Sequence, residues 1–538
     1  MKMNINIPIK YFNDFRKYSE KYMLSILIVL MSIISVASFV FYYKNGLGLA
    51  YNDARSHLDI GRRVVEGLKP GLAQIGSVWL PLPHLLMTPT IWNDFMWHTG
   101  LSGAIQSMIA FVATGVFIYK FLDILRVKLF ARVVAVFVFI ANINVLYMQS
   151  TAMTELLLLA TLMAGIYYFV AWHKTERVLD LVKSAFYIML STLIRYEGWF
   201  LVLYAVGILA ITTFRKKGYK SAEGAILLFG TLAGVGIGLW VIWNQLIFKD
   251  ALYFILGPFS AHAQQAQLDA AGQLLTKGNL IFSFKIYLYS LVYNSYAFVF
   301  LLGLIGMFVM AFDRKLSLPV KLACSALLAP VMFNVLALYF GFSVLFIQGL
   351  SGDTWFNVRY GLMMMPALAI FIGFLIDRAK DMRYVLVGLL LFVTFFAFAN
   401  RDAVTIDDAR VGSSQKNVSE VSGWLKANAY DKDGFVLISA ASHDAIIFSS
   451  DLLLKKFIHE GTGAYWESAV SAPDRWARWI VLRTHDLNDL TFKELNENSP
   501  EWQEQYILVN SYPFADIYEL KPEYIPQLNT TPVFGHQK

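Results

Sequence analysis

The sequence predicts an all-α polytopic membrane domain of about eleven transmembrane helices, followed by a soluble α/β domain. Three observations carry this. The 538 residues are 57% hydrophobic and only 15% charged, against about 25% charged in a soluble globular chain. Long apolar runs recur over the first 400 residues. Beyond residue 400 charge density jumps and the apolar runs shorten. A mean hydropathy of +0.53 excludes a single soluble domain. One cysteine, Cys324, and the lack of any low-complexity tract exclude a disulfide scaffold or a disordered chain.

About eleven apolar runs read as spans, a crossing needing about 18 residues or more. They lie at 23–43, 101–121, 129–147, 155–172, 181–195, 198–214, 222–246, 286–311, 321–347, 360–377 and 384–399. The runs on either side of Arg195 and Glu197 read as two spans or as one broken helix. Spans this apolar must be helical, because lipid leaves a bare backbone without partners. The first run exceeds a signal peptide's 7–15 apolar residues and follows about 22 polar or mixed ones, so it reads as an uncleaved anchor.

Lysine and arginine set the orientation. One side of the spans carries 22 basic residues; the other, up to residue 400, carries 10 although it owns the longer loops. This puts the N-terminus in the cytoplasm and the C-terminal segment outside, the membrane being the plasma membrane if the source is prokaryotic. The net charge of +7 is then mostly topological, and no nucleic-acid partner is expected.

Residues 1–399 form the predicted membrane domain. Its first outside loop, 44–100, is helical and amphipathic: Leu58, Ile60, Val64, Val65 and Leu68 alternate with Asp59, Arg62, Arg63 and Glu66. Pro70-Gly71 stops that helix. The stretch 78–97, with Pro81, Pro83, Pro89 and Asp94, reads as a helix lying in the membrane interface. A second long outside loop, 247–285, carries the polar run 262–267 and is long enough for a lid. Residues 400–538 form the soluble domain. Strands are expected at 434–440, 478–483, 506–510 and 516–520, with helices at 415–428 and 443–456.

Ionisable residues at a membrane boundary are costly and often functional. Four places on the outside face carry them. In Tyr51-Asn-Asp53-Ala-Arg55-Ser-His57, Asp53 is placed to take a proton from a hydroxyl or amine, or it caps the following helix. Glu155 opens the fourth span, where the helix dipole favours a carboxylate. Arg195, in Arg195-Tyr-Glu197-Gly198, suits a phosphate or an ion pair with Glu197. Arg359, beside Tyr360, lies where a lipid phosphate sits and has the forked donors such a group needs; the alternative is snorkelling to headgroups. No Gly-rich phosphate loop, zinc-like Cys/His spacing or Gly-x-Ser-x-Gly elbow occurs. The short inner loops leave no room for a nucleotide domain, so an activated substrate arrives on a lipid.

These stretches resemble the membrane-embedded glycosyltransferases of the C-type fold, especially the branch of protein O-mannosyltransferases and lipid A aminoarabinose transferases. Asn52-Asp53-Ala54-Arg55, followed by Leu58-Asp59-Ile60-Gly61-Arg62-Arg63, is similar to that family's Asp-Glu-Ala-Arg stretch and the helix after it. Trp79-Leu-Pro-Leu-Pro-His84 is similar to its Pro-rich approach to the second span. Ser150-Thr-Ala-Met-Thr-Glu155 resembles the place of a second acid, and Leu193-Ile-Arg195-Tyr-Glu197-Gly198 an Arg-containing outer turn. Asn357-Val-Arg359-Tyr360 through Pro366-Ala-Leu-Ala resembles the stretch opening a late span. The family's acidic pair is reduced here, leaving Asp53 as the carboxylate of that motif. No Trp-Trp-Asp stretch occurs, which sets the chain apart from the oligosaccharyltransferase branch.

The resemblance implies an enzyme moving a sugar from a polyprenyl-phosphate-linked donor to a lipid, protein or glycan acceptor, with inversion. It implies Asp53 as the base, and Arg195, Arg359 and Tyr360 on the donor phosphate. Glu155, with Arg55, His57 and Glu197, would orient the acceptor or the arginines. No cofactor is assigned, and the spacing does not support a divalent metal. Two rival readings are a lipid or polysaccharide transporter, which would carry its ionisable residues near span midpoints, and a non-catalytic membrane scaffold, which leaves the converging acids and arginines unexplained.

Overall fold

The computed structural model describes residues 9–257, 260–411, 415–483, 489–513 and 515–529; Gln264 and Gln267, in the polar run of the second outside loop, lie outside the described side chains. Eight helical stretches among the described residues are long and apolar enough to cross a membrane: Lys21–Lys44, Leu101–Ile124, Glu155–Thr175, Glu197–Lys217, Tyr219–Phe248, Leu318–Phe340, Val358–Arg378 and Met382–Arg410. A ninth arises if the bent pair Leu280–Ser295 and Ala297–Phe312 crosses as one unit. That pair turns by 110° at Tyr296, whose φ is +69°. Side chains such as Ile33, Leu203, Leu227 and Phe395 stand exposed on the outer surface of the bundle, as lipid-facing residues must.

The other two predicted spans are helices of 12 and 15 residues, Leu129–Ile140 and Val178–Thr192. The predicted run 129–147 breaks because Asn142 starts a new helix, Ile143–Met148, by accepting the Val145 N–H. The run 321–347 stops at Phe340, where Gly341 takes the left-handed conformation that closes helices. Arg195 and Glu197 sit at the turn between two separate helices, so the broken-helix alternative falls.

In the loop 44–100, helix Asn52–Val65 ends at Glu66. It is not a surface helix with one wet face, as its pattern suggested: residues 54–63 are all buried. Their charges survive burial because they are paired. Arg62 binds Glu66 and Asp94, and Arg63 lies 3.4 Å from Asp59. In place of the single interfacial helix expected over 78–97, the prolines leave two short ones, Leu82–Met87 and Asp94–His98.

The C-terminal region forms a five-stranded mixed sheet: β1 (Phe435–Leu437), β2 (Phe457–Ile458), β3 (Ala477–Arg483), β4 (Tyr506–Ser511) and β5 (Ala515–Leu520), in the order β2-β1-β3-β5-β4. β1 runs parallel to β2 and β3, and β5 pairs antiparallel with β3 and β4. The two-residue β2 was not foreseen. Helix Ala440–Ser449 is shorter than the predicted 443–456, the chain turning at Asp451 with φ +55°. This helix packs on Asn52–Val65. Arg55 Nη1 donates to Ser449 Oγ at 3.2 Å, Gln74 Nε2 to the Gly461 carbonyl at 2.7 Å, and Trp97 meets Phe448 edge-on. The loop 44–100 is thus clamped by the C-terminal region.

Candidate active site

Several helix starts converge at one end of the bundle. Asp53 lies in the first turn of Asn52–Val65. Glu155 and Glu197 are the first residues of Glu155–Thr175 and Glu197–Lys217. Arg195 precedes the latter, and Arg359 lies in the 3₁₀ turn Val358–Met364. The dipoles of helix N-termini favour anions, so carboxylates sit there readily. The two arginines stay because those carboxylates hold them.

Arg359 is the hub. Its Nη2 donates to Asp53 Oδ2 at 2.5 Å and its Nε to Glu155 Oε1 at 3.0 Å, while Nη1 lies 3.9 Å from Asp408 Oδ2. Only 5% of Arg359 is exposed, so it does not snorkel. Arg195 donates to Glu155 Oε1 at 3.3 Å and twice to Glu197 Oε1 at 3.1 Å. The Tyr360 ring lies 5.4 Å from the Arg359 guanidinium and 5.1 Å from that of Arg195, and Tyr51 lies 4.9 Å from Arg359, within cation–π range. Asp53 does not cap its helix, whose N-cap is Tyr51. Its side chain is 42% exposed, the most accessible acid of the group. Glu155 is fully buried, and its Oε2 has no hydrogen-bond partner among the described residues.

A polar frame holds Arg359 in place. Tyr287, Ser290 and Asn294 share one face of helix Leu280–Ser295. Tyr287 donates to the Tyr360 carbonyl, and Ser290 and Asn294 to that of Val358. Gly361 permits this approach: a Cβ there would stand 2.3 Å from the Ser290 carbonyl oxygen. Gly198 plays the same part beside Glu197, where a Cβ would meet the Ser191 backbone at 2.4 Å. The turn at Arg195 is fastened to the Pro-rich stretch by Tyr196 Oη to the Val78 carbonyl and by the Leu82 N–H to the Leu193 carbonyl.

His57 sits beside this group. Its Nδ1 is 2.9 Å from His84 Nε2, and its ring packs 4.3 Å from that of Trp79. Burial, reinforced by Arg195 and Arg359, pushes the His57 imidazole down to about 3. Burial likewise holds His84 well below the usual range. Both rings are neutral at physiological pH. Arg55 is not brought in: its Nε donates to the Leu49 carbonyl at 3.0 Å and its Nη1 to Ser449. It ties the loop to helix Ala440–Ser449.

Asp408 was missed by sequence reasoning. It is 3% exposed and accepts from the Tyr51 hydroxyl at 3.1 Å. That hydroxyl is also 2.8 Å from the Thr405 carbonyl. Burial, then the Asp408 charge, holds the Tyr51 phenol well above its ordinary range, so it remains a donor. Asn144 Oδ1 accepts from both the N–H and the hydroxyl of Thr405 and fixes helix Val404–Val411. The available signal was Asp408 one turn after Val404, on the buried side of a short helix. Among the described residues no group of three or more His, Cys, Asp or Glu is placed to hold a metal ion.

The chain aligns with the oligosaccharyltransferase of Archaeoglobus fulgidus, in its apo form, at 12% identity and a TM-score of 0.51, covering 86% of this chain and 70% of that one. It aligns with ArnT from Cupriavidus metallidurans, solved bound to undecaprenyl phosphate, at 9% identity and a TM-score of 0.52, covering 91% of this chain and 98% of that one. The chain has the C-type glycosyltransferase fold. No protein-family model matches the sequence, and no curated protein is significantly similar to it. The likeness lies in the C-type backbone, at identities of 9–12%. In this C-type fold the acid–arginine group lies at one rim of the bundle, beside the clamped loop 44–100.

Proposed function

We propose that the chain transfers a sugar from a polyprenyl-phosphate-linked donor to an acceptor at the outer membrane boundary, with its N-terminus cytoplasmic and residues 400–538 outside. The observation that carries this is the contact of Asp53 with Arg359. A half-exposed carboxylate and a buried guanidinium, suited to a base and to a phosphate-binding group, meet at one point.

In the reaction the acceptor's O–H or N–H gives its proton to Asp53. The acceptor heteroatom bonds to the anomeric carbon while the bond from that carbon to the phosphate oxygen breaks. The electron pair leaves on the polyprenyl phosphate, and attack from the opposite face inverts the anomeric centre. Arg359 and Arg195 neutralise the departing phosphate, preorganised charge in a water-poor site being the strongest catalytic device available. Glu155 holds both arginines through Oε1 and offers Oε2 to an acceptor hydroxyl.

The resting ion pair orders these events. The Asp53 oxygen that would take the proton is engaged by Arg359 at rest. A donor phosphate takes over Arg359 and frees the Asp53 carboxylate to face the acceptor. The base is active only once the donor is seated. The test is Asp53→Asn in the purified protein. It should abolish transfer yet keep the fold and the binding of polyprenyl phosphate. Transfer at the wild-type rate by Asp53→Asn would end this assignment.

A further inference from the structure

We infer that a second phosphate-binding site, for the headgroup of an anionic phospholipid, lies in the leaflet opposite the candidate active site. Helices Glu155–Thr175 and Glu197–Lys217 both start at the acid–arginine group. Each has 21 residues, about 30 Å at 1.5 Å per residue, which is one hydrocarbon thickness. Their far ends therefore stand at the other membrane boundary.

Between those ends and Pro319 there is a shallow cleft lined by Trp172, Glu176, Thr213, Lys216 and Lys217. Three features point to a phosphate there. Lys216 and Lys217 both reach one carboxylate, Glu176, the Lys217 Nζ at 2.7 Å. Two cations on one acid leave a net positive charge around a centre where an anion already sits. Glu176 is 38% exposed on its side chain and ends its helix at φ +57°, so it can swing out and yield its place. Thr213 is 5% exposed and its Oγ1 has no hydrogen-bond partner among the described residues. Its neighbour Thr212, by contrast, bonds back to the Ile208 carbonyl. A buried hydroxyl without a partner is costly, and a phosphate oxygen held by the two lysines would satisfy it.

The surroundings match a lipid rather than a soluble ion. Val178, Leu179 and Phe214, within three residues of the lining in sequence, are about 60% exposed and available to acyl chains, and Trp172 has the amphipathic ring found at membrane boundaries. Residues 174–183 and 215–223 hold seven basic and three acidic residues, which selects an anionic headgroup over a zwitterionic one. Dipole-favoured lysines at helix C-termini account for two of these charges, but not for the cleft or for Thr213. The inference is independent of the transfer chemistry.

Native mass spectrometry of the full chain in detergent tests it, with phosphatidylglycerol, phosphatidylethanolamine or inorganic phosphate added. Wild type should retain phosphatidylglycerol over phosphatidylethanolamine, and millimolar phosphate should not displace it. Affinity should fall about fivefold for each of Lys216→Gln and Lys217→Gln. It should fall with Thr213→Val and rise with Glu176→Gln, opposite signs that no general loss of folding produces. Equal retention of the two lipids, or unchanged retention by the double lysine variant, overturns the proposal. Displacement by inorganic phosphate reassigns the cleft to a soluble anion and overturns it as a lipid site.

Discussion

Glu155 and Arg359, 204 residues apart, share a 3.0 Å hydrogen bond with Glu155 wholly buried and Arg359 nearly so. A buried ion pair adds little over a well-packed apolar pair, yet breaking one by removing a single partner costs about 3–5 kcal/mol. Glu155→Ala is expected to lower stability by about 3 kcal/mol, at the low end because Asp53 and Glu197 still serve the two arginines. Glu155→Gln, keeping an acceptor, should lose less. Thermal unfolding in detergent reads both.

Asp53→Asn should reduce the transfer rate by about 100- to 10,000-fold, the usual contribution of a positioned base. The ion-pair exchange adds a second, opposite outcome. With no carboxylate to displace, Arg359 should bind polyprenyl phosphate more tightly, by about fivefold if the exposed side of the pair is worth about 1 kcal/mol. A binding titration of the two forms checks this. Weaker binding by Asp53→Asn would refute the exchange even if activity is lost.

Tyr51→Phe removes the donor that Asp408 and the Thr405 carbonyl share. Leaving a buried acceptor without its partner costs about 1–3 kcal/mol. Because Asp408 also faces Arg359, the variant should lower kcat more than it raises KM. A KM increase with kcat unchanged would make Tyr51 merely a substrate contact.

The pair His57–His84 predicts a stability loss on acidification. The unfolded imidazole titrates near 6.5, while burial depresses His57 in the fold to about 3. Between these values the unfolded chain binds a proton that the folded chain refuses. Stability is therefore present above pH 6.5 and falls as the pH drops toward 3, by up to about 1.4 kcal/mol per unit for this group. Melting curves from pH 7.5 to 5 should show a steep decline in wild type and a shallower one in His57→Asn.

Much of this molecule is written locally. Helices fall on every predicted apolar run, because lipid permits little else, and their charge bias needs only a count. Asp53, Glu155, Arg195 and Arg359 stood out because an ionisable residue at the end of an apolar run is locally anomalous. Arg359 was legible as a phosphate group or a snorkelling one; only its burial among Asp53, Glu155 and Tyr360 decides against snorkelling. Arg55 carried the same local signal as its neighbours, yet it turns to Ser449, because the facing surface comes from a domain nearly 400 residues away.

The sequence by itself determined the membrane class, the mixed character of the C-terminal region and the candidates Asp53, Glu155, Arg195 and Arg359, since hydropathy, strand alternation and misplaced charge act over one element at a time. The tertiary structure alone decided that Asp53 rests on Arg359, that Asp408 joins them through Tyr51, and that spans break at Asn142 and Tyr296. Those outcomes depend on which helix ends meet, and close pairing of buried charges is a property of distance in space that no spacing along the chain encodes.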